Sequence, residues 1–591
     1  MKKLTSLSLL LALLIIGGCG PTRPQKGTGT PNPPFQGQAP EDAYRTASGI
    51  GNYGGTLVLG LPGNPKTFNV VTLAEVLSSW VLAGPIYKAL VDWDNEKQED
   101  VPGLAKSWDS TPDGLQWTFN LRKGVMWSDG TPFTADDVMF TFQLNFDQNI
   151  PAPGRDLFTQ SDGSFPTIQK VDEYTVMFQL KEPNAAFAAA IGSTYLVPKH
   201  KWEAPYKAGK FREVLTLSTP PEDVVGLGPY RVQSFTTEQR VVLERNPYFW
   251  KVDQSGQRLP YIDRVVFVIV PDFNTAAVKF QAGELDMVWG ISPDIVDLVK
   301  SKEQEGDYTV YDLGPAFNTD FIVLNQDLAK YKNPVRLRWF REQKFRQAVS
   351  HAIDRDAIIR TAFQGHGIPL FNFNSPANKL WYTDNITKYP YNPDRARELL
   401  KEIGIEDRNG DGKLEDSQGN PIKFTINTNS NRPYRINMGT LIKDNLAKIG
   451  MDVSLQPLEP GLVSEKLQTS RDFDAIILGW QSQVPPDPVI GKNALLPSAN
   501  TYYAFPNQKE PSTDWERRLQ ELITLNSKQI TLADRQQSYW EAMKIWSDYL
   551  PEIELTSPNY FVGAKNRFGN FKPSPLANFV FWNIDELYLT K

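Results

Sequence analysis

Ten residues from Asp407 to Asp416, DRNGDGKLED, set oxygen-bearing side chains at alternate positions ahead of a glycine. That is how a loop wraps calcium: Asp407, Asn409 and Asp411 stand at positions 1, 3 and 5, Gly412 gives the bend, and Lys413 would offer its backbone carbonyl at position 7. Position 12, which needs a bidentate glutamate, is Gln418, so a weaker neutral ligand closes the shell unless Asp416 turns in. The flanks depart further. NPDRARELLKEIGI before the loop reads as a helix opened by Pro393, but KFTINTNS after it reads as a strand, which excludes a helix-loop-helix calcium switch. Two readings stay open: a structural calcium clip, or an Asn/Asp/Gly turn that feeds a sheet.

Other reactive residues fail to converge. His200, His351 and His366 are scattered singly, which fits isolated histidines better than a metal site or a catalytic base. Gly49, Gly51 and Gly54 match G-x-G-x-x-G, but they precede the strand TLVLGLP and do not join a strand to a helix, so dinucleotide binding is not expected. The sequence holds no G-x-S-x-G, H-E-x-x-H, Walker or C-x-x-C motif, and no nucleophile with a matching base can be named. The expectation is a protein that is not an enzyme and requires no cofactor.

The single cysteine, Cys19, lies in MKKLTSLSLLLALLIIGGCG, where Lys2 and Lys3 precede an apolar run from Leu4 to Ile16. That run is too short to span a bilayer, which needs about 20 residues. It has the design of a signal peptide over residues 1–18, and IGGC resembles a bacterial lipobox whose cysteine is acylated. Cleavage before Cys19 takes the formal charge from −6 to −8. Residues 19–53, rich in Gly, Pro, Thr and Gln, then read as a lipidated flexible tether. An anchor on a tether places the working body beside a membrane, outside the cytoplasm, in the periplasm or on the outer face of the cell membrane. With 62 basic against 68 acidic residues and no basic run, nucleic acid is not expected as a partner.

At 591 residues the chain holds roughly two to four domains. GGTLVLGLP, followed by the helix-like TLAEVLSSWVLAGPIYKAL, opens an α/β body, and WTFNLRKGVMW alternates as a hairpin does. Thr134 and Asp137 have capping-box spacing, with Val138, Phe142 and Phe146 on one face of the helix they start. Further on, VVFVIV reads as a buried strand and NTAAVKFQAGELDMVW as helix, glycine cap and strand. Near the C-terminus, KFTINTNS, MDVSLQPL and DFDAIILGW are three strands joined by helical crossovers, RINMGTLIKDNLAKIG and PGLVSEKLQTS, which predicts parallel pairing. Ligands gather beyond the carboxyl ends of such strands, where GWQSQVPPDP follows the last one.

GLQWTFNLRKGVMWSDGTPFTADDVMFTF (114–142), GLGPYRVQSF (226–235), ERNPYFWK (244–251), FQAGELDMVW (280–289), FRQAVSHAIDRDAI (345–358) and FDAIILGW (473–480) together resemble the bacterial extracytoplasmic solute-binding proteins of the peptide and nickel family, which feed ABC importers. The resemblance implies a periplasmic-binding-protein-like clamshell of type II, with two lobes plus an extra domain and a discontinuous first lobe. Mapped onto this chain, lobe I takes residues 54–85, 196–312 and 548–591, the extra domain 86–195 and lobe II 313–547, with hinge crossings near 313–320 and 550–556. It implies capture of oligopeptides by closure and delivery to permease subunits, with an oligosaccharide receptor or a surface peptide-holding or sensing protein as alternatives. Trp480, Gln481, Ser482 and Gln483 are the expected ligand contacts, with Phe68, Asn69 and Asn318 at lobe edges. In peptide-binding members the position of Gln483 is an aspartate that pairs with the ligand's α-amine. A neutral amide there brings no opposing charge and raises the weight of neutral ligands such as oligosaccharides; Asp487 lies further along.

Overall fold

The computed structural model describes residues 35–73, 75–481, 484–576 and 582–590, so Cys19, Ser482 and Gln483 lie outside the described residues. TLVLGL, whose residues are buried or half-buried, forms β1 (Thr56–Leu61). A hairpin, β2 (Tyr230–Thr236) and β3 (Arg240–Arg245), precedes β4 (Arg264–Ile269) and β5 (Met287–Trp289). β6 (Tyr308–Pro315) leads almost directly into β7 (Thr319–Leu324). Then come β8 (Lys423–Asn429), β9 (Asp452–Leu458), β10 (Ala475–Trp480) and the long β11 (Ile553–Lys565). They form one open path in the order β9-β8-β10-β7-β11-β5-β1-β4-β3-β2, with β6 also paired to β11.

β8 pairs in parallel with both β9 and β10, as the crossover pattern predicts. The helix Pro433–Lys448 makes the first crossover, and Gly450, at φ 95°, turns the chain back toward β9 where a side chain would be strained. Cores lie on both faces of this half of the sheet. One gathers Ile322, Ile426, Leu446 and Ile477, and the other Phe321, Val323, Ile476, Tyr539 and Trp546. The other half of the path, around β1 and β4, packs Leu57, Leu59, Val265 and Phe267 against Trp80 and Tyr87.

Two segments join the halves. β6 runs through Ala316, Phe317 and Asn318 into β7, while β11 passes directly from one half to the other. Asp320 of β7 pairs with Thr556, whereas β6 pairs with Asn559 onward. The two crossings lie side by side: Ala316 N donates to Pro558 O (2.8 Å) and Ser557 Oγ donates to Ala316 O (2.8 Å). The second crossing therefore falls after Thr556, later than the expected border at 548, because Ile553–Thr556 still pair within the β7 sheet.

A separate four-stranded antiparallel sheet, Ala105–Ser110, Gln116–Leu121, Thr175–Gln179 and Thr167–Asp172, packs on the helix Ala135–Phe146, which Thr134 and Asp137 cap as a capping box. Its central strand Gln116–Leu121 pairs on both sides with other strands, so WTFNLRKGVMW is not the hairpin its alternation predicts. The core of this unit also draws in Leu227, Trp250, Leu259 and Tyr261, residues that the resemblance places in lobe I. The first expected helix is short, Val76–Leu82, and ends at Ala83 before Gly84 turns the chain at φ 92°.

Residues 35–53, expected to belong to the flexible tether, lie against the body. Tyr44–Arg45 pairs in parallel with Lys251–Val252, Gln36 N donates to Pro247 O (3.0 Å), and the Arg258 guanidinium sits 4.9 Å from the Phe35 ring centroid. Three aromatics, Phe35, Tyr44 and Tyr53, supply the anchors in a stretch otherwise poor in apolar residues.

Candidate functional site

Trp480 ends β10, at the carboxyl end of the parallel strands, directly opposite Thr319 of β7, the residue that follows the first crossing. The preceding residue must be glycine for steric reasons. A Cβ on Gly479 would press on the Arg435 guanidinium, and would lie 2.7 Å from Thr319 O and 2.9 Å from Asp320 Oδ1. Arg435 in turn donates from Nε to Asp320 Oδ1 (2.9 Å), a buried ion pair that ties the helix Pro433–Lys448 to β7.

The half-buried indole of Trp480 stacks on Tyr503 (centroids 5.0 Å apart, 1° between planes) and on Phe321 (5.4 Å, 18°). Phe321 and Tyr503 are themselves 6.4 Å apart. Rings on opposite faces, each at a contact spacing of about 3.5 Å or more, would be separated by at least about 7 Å. Both therefore cover the same face of Trp480, with 19° between their own planes, a geometry that suits a ring platform at a cleft wall. Phe373 approaches at 6.0 Å, tilted by 50°.

Trp480 Nε1 donates to Glu552 Oε2 (2.9 Å). Two residues on, Glu554 Oε1 accepts from Trp546 Nε1 (3.2 Å). Both carboxyl groups are buried, each residue being 1% exposed, and Glu552 Oε1 and Glu554 Oε2 have no hydrogen-bond partner. Burial raises the Glu554 carboxyl to about 8, against weaker opposing effects of the Trp546 N–H and Arg355. Burial and then the neighbouring Glu554 push Glu552 well above the usual carboxylate range. Both shifts favour the protonated form, because burial penalises the charge and two like charges in an apolar setting oppose one another's ionisation.

Asp487 and Asp92 have cationic partners, whereas the half-buried Asp100 is raised to about 7 by burial and then by Asp487, against a weaker effect of Arg535. Asp487 accepts from Arg535 Nη2 (2.6 Å) and from Val489 N (2.8 Å), so it does not stand in for an aspartate at position 483. Asp92 meets Lys88 (3.5 Å) and Lys251 (3.7 Å); burial alone would raise its carboxyl, but the two lysines hold it down at about 2. Beside it, Trp93 joins Phe317, Leu576, Ala377, Val484 and Trp582 in an apolar cluster drawn from the two-stranded hairpin Val91–Asp94 and Glu99–Pro102, the first crossing, the β7–β10 half and the C-terminal segment.

Of the residues expected at the site, Trp480 and the exposed Gln481 stand together at the strand end, and Asn318 lies half-buried in the first crossing. Phe68 and Asn69 do not join them. Phe68 is 1% exposed, packed edge-on against Phe235 in the β1 core, and Asn69 Oδ1 accepts from Val71 N (3.1 Å) and Thr72 N (3.3 Å) to close its own turn. A position after the first strand marks the lobe edge in sequence, but the apolar ring turns inward and the amide satisfies local backbone.

The 407–418 loop closes on itself. Asp407 accepts from Gly410 N (2.7 Å) and Gly412 N (2.9 Å), Asn409 Oδ1 from Asp411 N (2.8 Å), and Asp411 Oδ1 from Lys413 N (2.8 Å). Asp416 turns away toward Asn420 and Trp339 Nε1 (3.1 Å). Among the described residues no group of three or more His, Cys, Asp or Glu side chains is placed to hold a metal ion.

Sequence reasoning missed Phe321, Phe373, Tyr503, Trp93 and the two glutamates. The glutamates left a signal in LPEIELTSP, where acidic residues alternate with Ile553 and Leu555 in an otherwise apolar strand. The rings left none, because their meeting depends on which strands pair.

The fold and the site define a two-lobed binding protein with an extra domain, its lobes joined by paired strand crossings beside an aromatic platform. Residues 99–502 match the family model described as bacterial extracellular solute-binding proteins, family 5, middle, and the chain belongs to that family. It is 30% identical over 410 residues to a probable ABC transporter-binding protein of Deinococcus radiodurans, covering 67% of this chain and 68% of the relative. It is 26% identical over 551 residues to the oligopeptide-binding protein AppA of Bacillus subtilis, covering 93% and 94%. The structure of AppA in complex with a nonapeptide superposes with a TM-score of 0.71 at 24% identity, over 92% of this chain and 100% of AppA. The periplasmic binding protein MelB of Agrobacterium fabrum C58, in complex with stachyose, gives 0.73 at 23% identity, over 92% and 86%. Among the described residues no helix is long and apolar enough to cross a membrane.

Proposed function

We propose that this chain is the substrate-binding component of an ABC importer, capturing oligopeptides by lobe closure and presenting them to the permease. The observation that carries this reading is the Trp480 platform beside the two crossings, where a ligand can touch both lobes at once and so favour the closed state. The similarity to AppA over nearly the whole of both chains supports a peptide as the cargo. Binding and release without bond chemistry is the corresponding role. Lipidation of Cys19 would hold the protein near its transporter and raise its effective concentration there.

One observation favours a second reading. Asp92, Asp320 and Asp487 are all held by cationic partners and burial shifts Asp100 toward its neutral form, which leaves aromatic faces and neutral groups to do the recognising, a chemistry that suits oligosaccharides. A thermal-shift assay with tri-alanine, the nonapeptide bradykinin and stachyose separates the two. A ligand at about 100 times its Kd stabilises by about 2.7 kcal/mol, and shifts with the peptides alone are expected. Stabilisation by stachyose alone would overturn the peptide assignment. Mass spectrometry of the membrane-extracted protein, beside Cys19→Ala, tests the anchor.

A further inference from the structure

We propose that Glu552 and Glu554 act together as positioning residues for Trp480, a pair of protonated carboxyl groups whose deprotonation releases the indole from its stacked pose. The inference rests on reading Trp480 as a wall of the ligand site. Among the described residues Glu552 is the acceptor of the indole N–H, and the indole's pose sets the plane of the platform shared with Tyr503 and Phe321.

The surroundings make protonation matter. Glu552 is faced by Glu554, by Trp480 and, from the 502–503 segment, by Tyr502 and Tyr503. Tyr502 donates to Glu516 Oε1 (3.3 Å), with Arg346 near it, but Arg346 donates to Tyr549 O and Phe340 O and reaches neither glutamate carboxyl. Glu554 is faced by Trp546 and Tyr539 from the helix Leu532–Tyr549 and by Arg355 from the helix Arg355–Ala362. Arg355 donates from Nε (2.9 Å) and Nη2 (2.7 Å) to the backbone carbonyl of Glu554, not to its carboxyl. Among the described residues neither carboxyl forms an ion pair, and each keeps one oxygen with no partner. Among the described residues an anion here has no counterion, and both residues are 1% exposed, so ionisation requires the 552–554 segment to move and hydrate. That segment carries the acceptor of the Trp480 N–H and leads straight into the second crossing, so its movement reaches the platform.

The test reads Trp480 in the ligand-free protein, as the fluorescence of the wild type minus that of Trp480→Phe between about pH 6 and about pH 10. A single titration with a midpoint near 8 is expected, absent in Glu554→Gln. Glu552→Gln, whose amide oxygen still accepts from the indole, should keep the neutral-pH signal and the titration that Glu554 carries, whereas Glu552→Leu should lose the neutral-pH signal itself. A flat wild-type profile, or one unchanged in Glu554→Gln, overturns the proposal. A parallel titration with bradykinin tests the reading beneath it: affinity should fall about tenfold from about pH 7 to about pH 9 in the wild type and not in Glu554→Gln. A Trp480 titration without any change in affinity would uphold the positioning role and remove Trp480 from the ligand wall.

Discussion

Glu554 shows how one side chain can set the pH response of stability. Its carboxyl is raised by burial to about 8 in the folded protein, against an ordinary value of 4.5. Below the ordinary value both states hold the proton and the group's contribution is fully present. As pH rises from there toward about 8 the unfolded chain has released the proton while the folded one keeps it, so stability is lost at up to about 1.4 kcal/mol per pH unit. Glu554→Gln removes that slope. Urea melts at about pH 5, 7 and 9 should therefore show the variant gaining on the wild type as pH rises; parallel profiles would mean that Glu554 is ionised in the folded state. Gly479 works through space instead. A methyl group there meets the Thr319 carbonyl at 2.7 Å, backbone that cannot move without parting β7 from β10, so Gly479→Ala should cost about 1 to 3 kcal/mol in the same melts.

At the scale of elements, local signals were legible wherever a segment's own pattern decides its fate. The capping box at Thr134, the glycine turn at Gly450 and the parallel set β8, β9 and β10 all follow from spacing. What stayed hidden depends on distant partners. Tyr44 becomes a strand only because Lys251 offers an edge, and β11 serves both halves of the sheet because its 13 residues outrun either one. The platform at Trp480 was half legible for the same reason: the strand end announced itself, but Tyr503 and Phe321 are neighbours only after β7 and β10 pair. The 407–418 loop belongs to the self-sufficient kind. Its Asp and Asn oxygens accept from the loop's own amides, as an Asx turn does, so calcium at millimolar excess or a chelator should leave the melting temperature unchanged. A rise with calcium that Asp407→Ala abolishes would show that the loop opens to take the ion.

For the whole molecule, the lobe closure proposed above would draw on contacts outside the cleft as well as on the ligand. Residues 86–195 reach the β7–β10 half through Gln98, in the turn between the paired strands Val91–Asp94 and Glu99–Pro102, whose Nε2 donates to Ala377 O (3.0 Å) and whose Oε1 accepts from Lys379 N (3.2 Å), and through the Glu182–Lys528 ion pair (2.8 Å). The exposed ion pair contributes little. Gln98 is different, since it is buried and held at φ 58°, a left-handed conformation that costs about 1 to 2 kcal/mol for a residue with a Cβ. Two neutral hydrogen bonds offset that cost by about 1 to 3 kcal/mol, but only while the lobes are together. Gln98→Gly removes the strain and both contacts at once. Its stability to urea should therefore change by no more than about 2 kcal/mol, while the closed state loses support and ligand affinity falls by about fivefold or more, with a larger radius of gyration for the ligand-free protein in X-ray scattering. Unchanged affinity together with unchanged scattering would show that closure is driven by the ligand and the crossings alone.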